Sequence, residues 1–145
     1  MCSSDLDGGY IFAFDNQFSS TAPVVSILNT SYNPINLRLR ARALTTRGPL
    51  SGGVYINFTN DYSNDNVIPY GHVSSWTTAD AVASYAFGSS GGSPNGLTVA
   101  LSVINLTNRA PPFVSNPLSE FPITYDGTNA NVLGRFISLR LQKRW

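Results

Sequence analysis

Three arginines alternate with apolar residues in Leu37-Arg38-Leu39-Arg40-Ala41-Arg42, and this is the densest run of chemistry-bearing side chains in the 145-residue chain. Residues at i, i+2 and i+4 of a strand share a face. That face cannot lie in a dry core, because each buried unpaired guanidinium would cost several kcal/mol. Arg38, Arg40 and Arg42 therefore face water, on a solvated sheet or in a polar barrel lumen. Together with Arg140 and Arg144 they line either a path that attracts an anionic chelate or an ordinary solvated face paired with carboxylates, the commoner arrangement. Asp80 is one candidate partner. His72, beside Tyr70 and Gly71, has no converging Ser or Cys and acid to make a nucleophilic triad, and reads as a polar loop residue. Gly88-Ser89-Ser90-Gly91-Gly92-Ser93 is followed by no Lys and opens no helix, so it reads as a flexible turn rather than a phosphate loop. Asn29-Thr30-Ser31, Asn57-Phe58-Thr59 and Asn105-Leu106-Thr107 match the N-glycosylation pattern, as chance allows in a chain rich in Asn and Thr. One Cys and one His exclude a Cys/His zinc site within this chain and any disulfide framework. No cofactor and no enzymatic activity are expected.

Composition narrows the class. Charged residues are 12%, about half the usual ~25%. The hydrophobic fraction is an ordinary 42%, and mean hydropathy is -0.04. Apolar residues are thus dispersed among Ser, Thr, Asn and Gly. The net charge of +1 gives no electrostatic case for nucleic acid, and no run approaches the ~18 apolar residues of a membrane helix.

Period-two alternation predicts about six strands: Tyr10 to Phe14; Leu37 to Thr45; Val54 to Thr59; Ser75 to Phe87; Leu97 to Val103; and Ile137 to Trp145. Their connections run long, short, long, short, long. A transmembrane barrel segregates loop lengths in this way; a sandwich has no reason to. The small residues Ala79, Ala81 and Ala83 fill a sandwich core poorly, whereas lipid tails adapt to them. Trp76 with Tyr62, and Tyr85 with Phe87, are candidates for the two interfacial aromatic girdles. Six strands cannot close a membrane barrel, whose smallest members have eight, and an open edge in lipid would leave backbone groups unsatisfied. The expectation is an antiparallel transmembrane β-barrel represented by a piece. The opening Met1-Cys2-Ser3-Ser4-Asp5-Leu6 points the same way: it reads as a translated sequencing-adapter end, with the native chain entering at Asp7 already truncated.

The last third is the most specific. Leu101-Ser102-Val103-Ile104-Asn105-Leu106-Thr107-Asn108-Arg109-Ala110-Pro111-Pro112-Phe113-Val114 resembles the strand-and-loop element near the end of TonB-dependent outer-membrane receptors, which carries an Asn-Leu-Phe-Asp-x-x-Pro-Pro-Phe pattern. Thr107 and Asn108 depart from it. Tyr125-Asp126-Gly127-Thr128-Asn129 through Gly134-Arg135-Phe136 and on to Lys143-Arg144-Trp145 is similar to that family's closing segment. Tyr32-Asn33-Pro34-Ile35-Asn36-Leu37, Ser75-Trp76-Thr77-Thr78-Ala79-Asp80 and Ser84-Tyr85-Ala86-Phe87 resemble its earlier strands.

The resemblance implies about six strands from the C-terminal end of a roughly 22-stranded, plugged barrel in the outer membrane of a Gram-negative bacterium. Such receptors take up a scarce nutrient of the ferric siderophore, cobalamin or oligosaccharide class, energised by the TonB complex. The implied partners are outer-membrane lipid, the TonB complex through an N-terminal part, the nutrient, and the outer-membrane assembly machinery. That machinery would read Ile137, Leu139, Leu141 and Trp145, with Lys143 breaking the series. Neither plug nor TonB box is recognisable here, so residues 7–145 alone are expected to transport nothing. The alternative is a soluble secreted β-sandwich, an adhesin or carbohydrate-binding module.

Overall fold

A computed structural model of the chain describes residues 1–88, 96–117 and 123–144. It is all-β: six strands form one antiparallel meander, and two short hairpins sit in the connections. No helix of the described residues is long and apolar enough to cross a membrane. The meander strands, in spatial order, are β1 (Cys2–Tyr10), β4 (Leu37–Arg47), β5 (Leu50–Thr59), β8 (Trp76–Ala86), β9 (Leu97–Ile104) and β10 (Phe136–Lys143). The hairpins are β2 (Asp15–Asn16) with β3 (Val25–Ser26), and β6 (Tyr62–Asn64) with β7 (Gly71–Val73).

Five of the six expected strands are present within a few residues; the first is displaced. Tyr10 ends β1 instead of starting a strand, and residues 11–14 lie outside any strand. The Ile11 N–H donates to the Asn36 carbonyl at 2.8 Å, one last bond in the β1–β4 register, and beyond it Phe14 O accepts from Ile27 within the first connection. The alternating aromatics there stand out in solvent, Phe12 at 88% exposure. Strand β1 includes residues 2–6, paired with β4 from Cys2↔Thr45 to Tyr10↔Leu37.

Between β4 and β5 only Gly48 and Pro49 intervene, and Arg47 pairs with Leu50. A two-residue hairpin needs positive φ at its first central position, which Gly48 supplies at φ 59. Because all pairs are antiparallel, the short connections fall at one end of the sheet. The long ones (residues 11–36, 60–75 and 105–135) gather at the other, as the loop-length rhythm predicts.

Register sorts the side chains into two faces. Arg40↔Asn57, Arg42↔Tyr55 and Tyr55↔Asp80 share one face, continued by Ser102↔Ser138 and Ala100↔Arg140. The other carries Leu39↔Phe58, Ala41↔Ile56↔Ala79, Val54↔Ala81↔Val103 and Leu101↔Leu139. Among the described residues no second sheet covers this apolar face. The molecule exposes 10030 Å², where a globular monomer of 15.6 kDa exposes about 7,200 Å². The sheet is open: β1 and β10 are its edges and do not pair.

The core lies elsewhere. Ile35, Tyr62, Val73 and Val114 are the buried apolar residues among those described, and all four belong to the connections and their hairpins. The three long connections thus build a cap over the loop end of the sheet. They are stitched by Ser63 N to Asn29 O at 2.9 Å, Asn64 Nδ2 to Ser115 O at 2.8 Å and Asn129 Nδ2 to Asn33 O at 2.9 Å.

Candidate functional site

The arginine row stands on the polar face as the alternation requires, and each guanidinium has a different partner. Arg42 makes an ion pair with Asp5 at 2.7 Å, both side chains about half exposed. Arg40 lies over the Tyr55 ring, 4.7 Å from its centroid, a cation–π contact. Arg38, nearest the cap, donates to the Asn129 carboxamide oxygen. Asp80 is not an arginine partner here: its two oxygens accept from Asn57 Nδ2 and from the Asn105 backbone N–H, each at 2.9 Å. Position explains this, since Asp80 sits one strand beyond Tyr55 and next to the start of the third connection. Arg140 shares the polar face, and Arg144 lies past the end of β10, its N–H donating to Gly96 O at 3.0 Å.

Ile137, Leu139 and Leu141 line the opposite, apolar face of edge strand β10, exposed by 60%, 64% and 65%. Lys143 continues their row. Trp145, the fourth member of the expected assembly signal, lies outside the described residues, as does most of the Gly88–Ser93 turn.

The expected aromatic girdles are rearranged. Tyr62 is in the cap core, 6% exposed. Trp76 points to the polar side, opposite Thr59, and its indole N–H donates to Ala110 O at 3.1 Å. The Tyr85–Phe87 pair does stand at the turn end of the apolar face, edge-to-face at 4.8 Å, while its loop end carries Tyr10, edge-to-face with Phe12 at 4.9 Å, in place of Trp76 and Tyr62.

Sequence reasoning passed over the hub of the cap. Asp126 is 1% exposed. Its carboxylate accepts from Tyr32 N at 2.9 Å, Thr128 N at 2.9 Å, Asn129 N at 3.3 Å and Asn129 Nδ2 at 2.7 Å. The Tyr62 phenol is pushed up from its ordinary pKa, first by burial and then by the charge and hydrogen bond of Asp126. The signal was local: Asp126-Gly127-Thr128-Asn129 has the form of an Asx turn, but nothing local names Tyr32 and Tyr62 as its distant partners.

The remaining polar candidates are accounted for. His72 is exposed on β7, its Nδ1 3.9 Å from Asp61 Oδ2. The three sequon asparagines are engaged: Asn29 accepts from the Asn36 N–H, Asn57 donates to Asp80, and buried Asn105 donates to Arg109 O and accepts from its N–H. No cluster of metal-ligating groups occurs among the described residues. The arrangement offers a wet polar face with oriented guanidiniums, a rigid cap above it and an apolar reverse side.

No protein-family model, curated protein or solved structure matches this chain.

Proposed function

We propose that this chain is the C-terminal part of the barrel of a TonB-dependent outer-membrane receptor, supplying six consecutive strands and three surface loops to the uptake of a scarce nutrient. The observation that carries the reading is the uncovered apolar face of a single-layer sheet whose other face is polar, with every long connection at one end. In water such a face is a liability; against lipid it is the outer wall of a barrel, and the polar face becomes the lumen. Dimensions agree. Strands β4 and β8 have 11 residues each, and at about 3.4 Å per residue and a tilt of about 45° they rise about 26 Å. The apolar band of outer-membrane barrels is about 25 Å tall. Tyr10–Phe12 and Tyr85–Phe87 then stand at the two interfaces, and the cap faces the cell exterior. The open edges of β1 and β10 call for further strands, because unsatisfied edge groups are not tolerated in lipid.

The faces give the test. In the full-length membrane-inserted protein, Leu39→Cys and Arg40→Cys are compared with a membrane-impermeant thiol reagent. Arg40→Cys labels and Leu39→Cys is protected if lipid covers the apolar face. Preferential labelling at position 39 overturns the assignment and returns the chain to the soluble sandwich alternative.

A further inference from the structure

Charge is sorted along the strands as polarity is sorted across them. Within the meander the acids Asp5, Asp7 and Asp80 stand on the polar face; every other acid of the chain belongs to a long connection. The short connections, residues 48–49 and 87–96, hold none. Neither does the apolar face among the described residues. The turn end carries the opposite sign. Arg47 closes β4 in the apolar row of Leu39, Ala41 and Ala43, and Lys143 closes β10 in the row of Leu139 and Leu141. Both are exposed, and Arg144 follows Lys143 at the same end. The Tyr85–Phe87 pair stands between Arg47 and Lys143. Arg47 faces Leu50 and Leu50 faces Tyr85, while the Phe87 N–H donates to Leu97 O at 2.8 Å and Leu97 faces Lys143. Four strand spacings of about 4.8 Å put the two cations about 19 Å apart.

We propose that this acid-free basic rim binds the anionic headgroups of phospholipids in the leaflet at the turn end. Arg47 and Lys143 lay their apolar stems along the outer face and carry their charges to the headgroup phosphates, and a guanidinium fork matches a phosphate bidentately. Tyr85 and Phe87, 42% and 37% exposed, mark the acyl boundary just above. Any cation at an interface reaches for water. What adds a preference for the sign of the lipid is that no carboxylate at this end competes for Arg47 or repels a phosphate. Arg47 makes no ion pair within 4.0 Å among the described residues. The acids of the long connections make the opposite end a poor match for the same lipids.

The inference names a lipid partner for the proposed receptor's outer wall and rests on that reading for lipid being there. In its test the full-length protein in vesicles carries a bimane label at Leu50→Cys or, at the loop end of the same face, at Phe58→Cys. Quenching by brominated phosphatidylglycerol is compared with quenching by brominated phosphatidylcholine. Near position 50 an anionic preference of about fivefold is expected, the worth of one cation beside an anionic surface, and near position 58 none. Arg47→Gln with Lys143→Gln is expected to remove the preference without altering quenching by phosphatidylcholine. Equal quenching by the two lipids at position 50 overturns the proposal, as does a preference that survives the double substitution. So does a preference abolished by inorganic phosphate at matched ionic strength, which would mean a free-anion site. Absence of quenching by either lipid at both positions removes the receptor reading itself, and the rim with it.

Discussion

The sheet and the cap are made by opposite means. Six strands hold together by backbone ladders, yet their apolar side chains stand largely exposed: Leu101 at 44%, Ile56 at 49% and Leu139 at 64%. The connections have little regular structure, yet they bury Ile35, Val73 and Val114 almost completely, together with Asp126 and Asn129. In a water-soluble domain the elements form the core and loops run over it. The inversion follows if solvent differs along the molecule: a sheet in lipid needs no second layer, whereas loops in water must satisfy their own polar groups and bury their own apolar ones. On the proposed reading, the cap is a small aqueous protein set on a membrane wall.

The largest expected effect tests whether the cap has its own core. Asp126→Ala would strand the buried Asn129 donors, take away the partner of buried Tyr62, and remove the acceptor of the part-buried Tyr32 and Thr128 N–H groups, which water can reach. At about 1–3 kcal/mol per stranded buried group, the cap loses about 2 kcal/mol or more. The loops should become protease-sensitive while the far-ultraviolet β signature of the sheet persists. Joint loss of both would show that cap and sheet are one cooperative unit and would break the comparison.

On the sheet, Ile56→Arg sharpens it. Ile56 sits mid-strand on the apolar face, between Ala41 and Ala79. A cation near the bilayer midplane costs about 2–4 kcal/mol, to be read from refolding equilibria in lipid vesicles. In water the same change at a half-exposed site would be near neutral, so an unchanged equilibrium counts against lipid on this face.

The sheet was largely legible in the sequence and the cap was not. Alternation at Leu37–Arg42 and Val54–Thr59 fixes both faces, because period two needs no knowledge of partners. It failed at Tyr10–Phe14, where the alternating aromatics run past the end of β1 into an irregular connection. The cap depends on pairs distant in the chain: Tyr32 with Asp126, Arg38 with Asn129, Asn64 with Ser115. No local pattern encodes these, and Tyr62, an aromatic in a polar loop, looked like an interfacial residue for that reason. Asp80 was misassigned because its charge was visible but not its neighbour Asn105.

Tyr62 provides the finest division between the two regions. Its phenol holds its proton above the ordinary 10.0, so folding favours the protonated form. The unfolded chain releases that proton near pH 10. This contribution to cap stability is therefore complete below about pH 10 and is lost as pH rises beyond it. The cap should loosen in alkali, seen as growing protease sensitivity of residues 60–75, while the ladders of the sheet stay unchanged. Tyr62→Phe removes the titrating group at a cost of about 1 kcal/mol for the lost hydrogen bond, and its cap stability should be flatter with pH in the same range. An alkaline loosening that survives in Tyr62→Phe would place its origin outside the Asp126 network and remove the phenol from the cap's polar core.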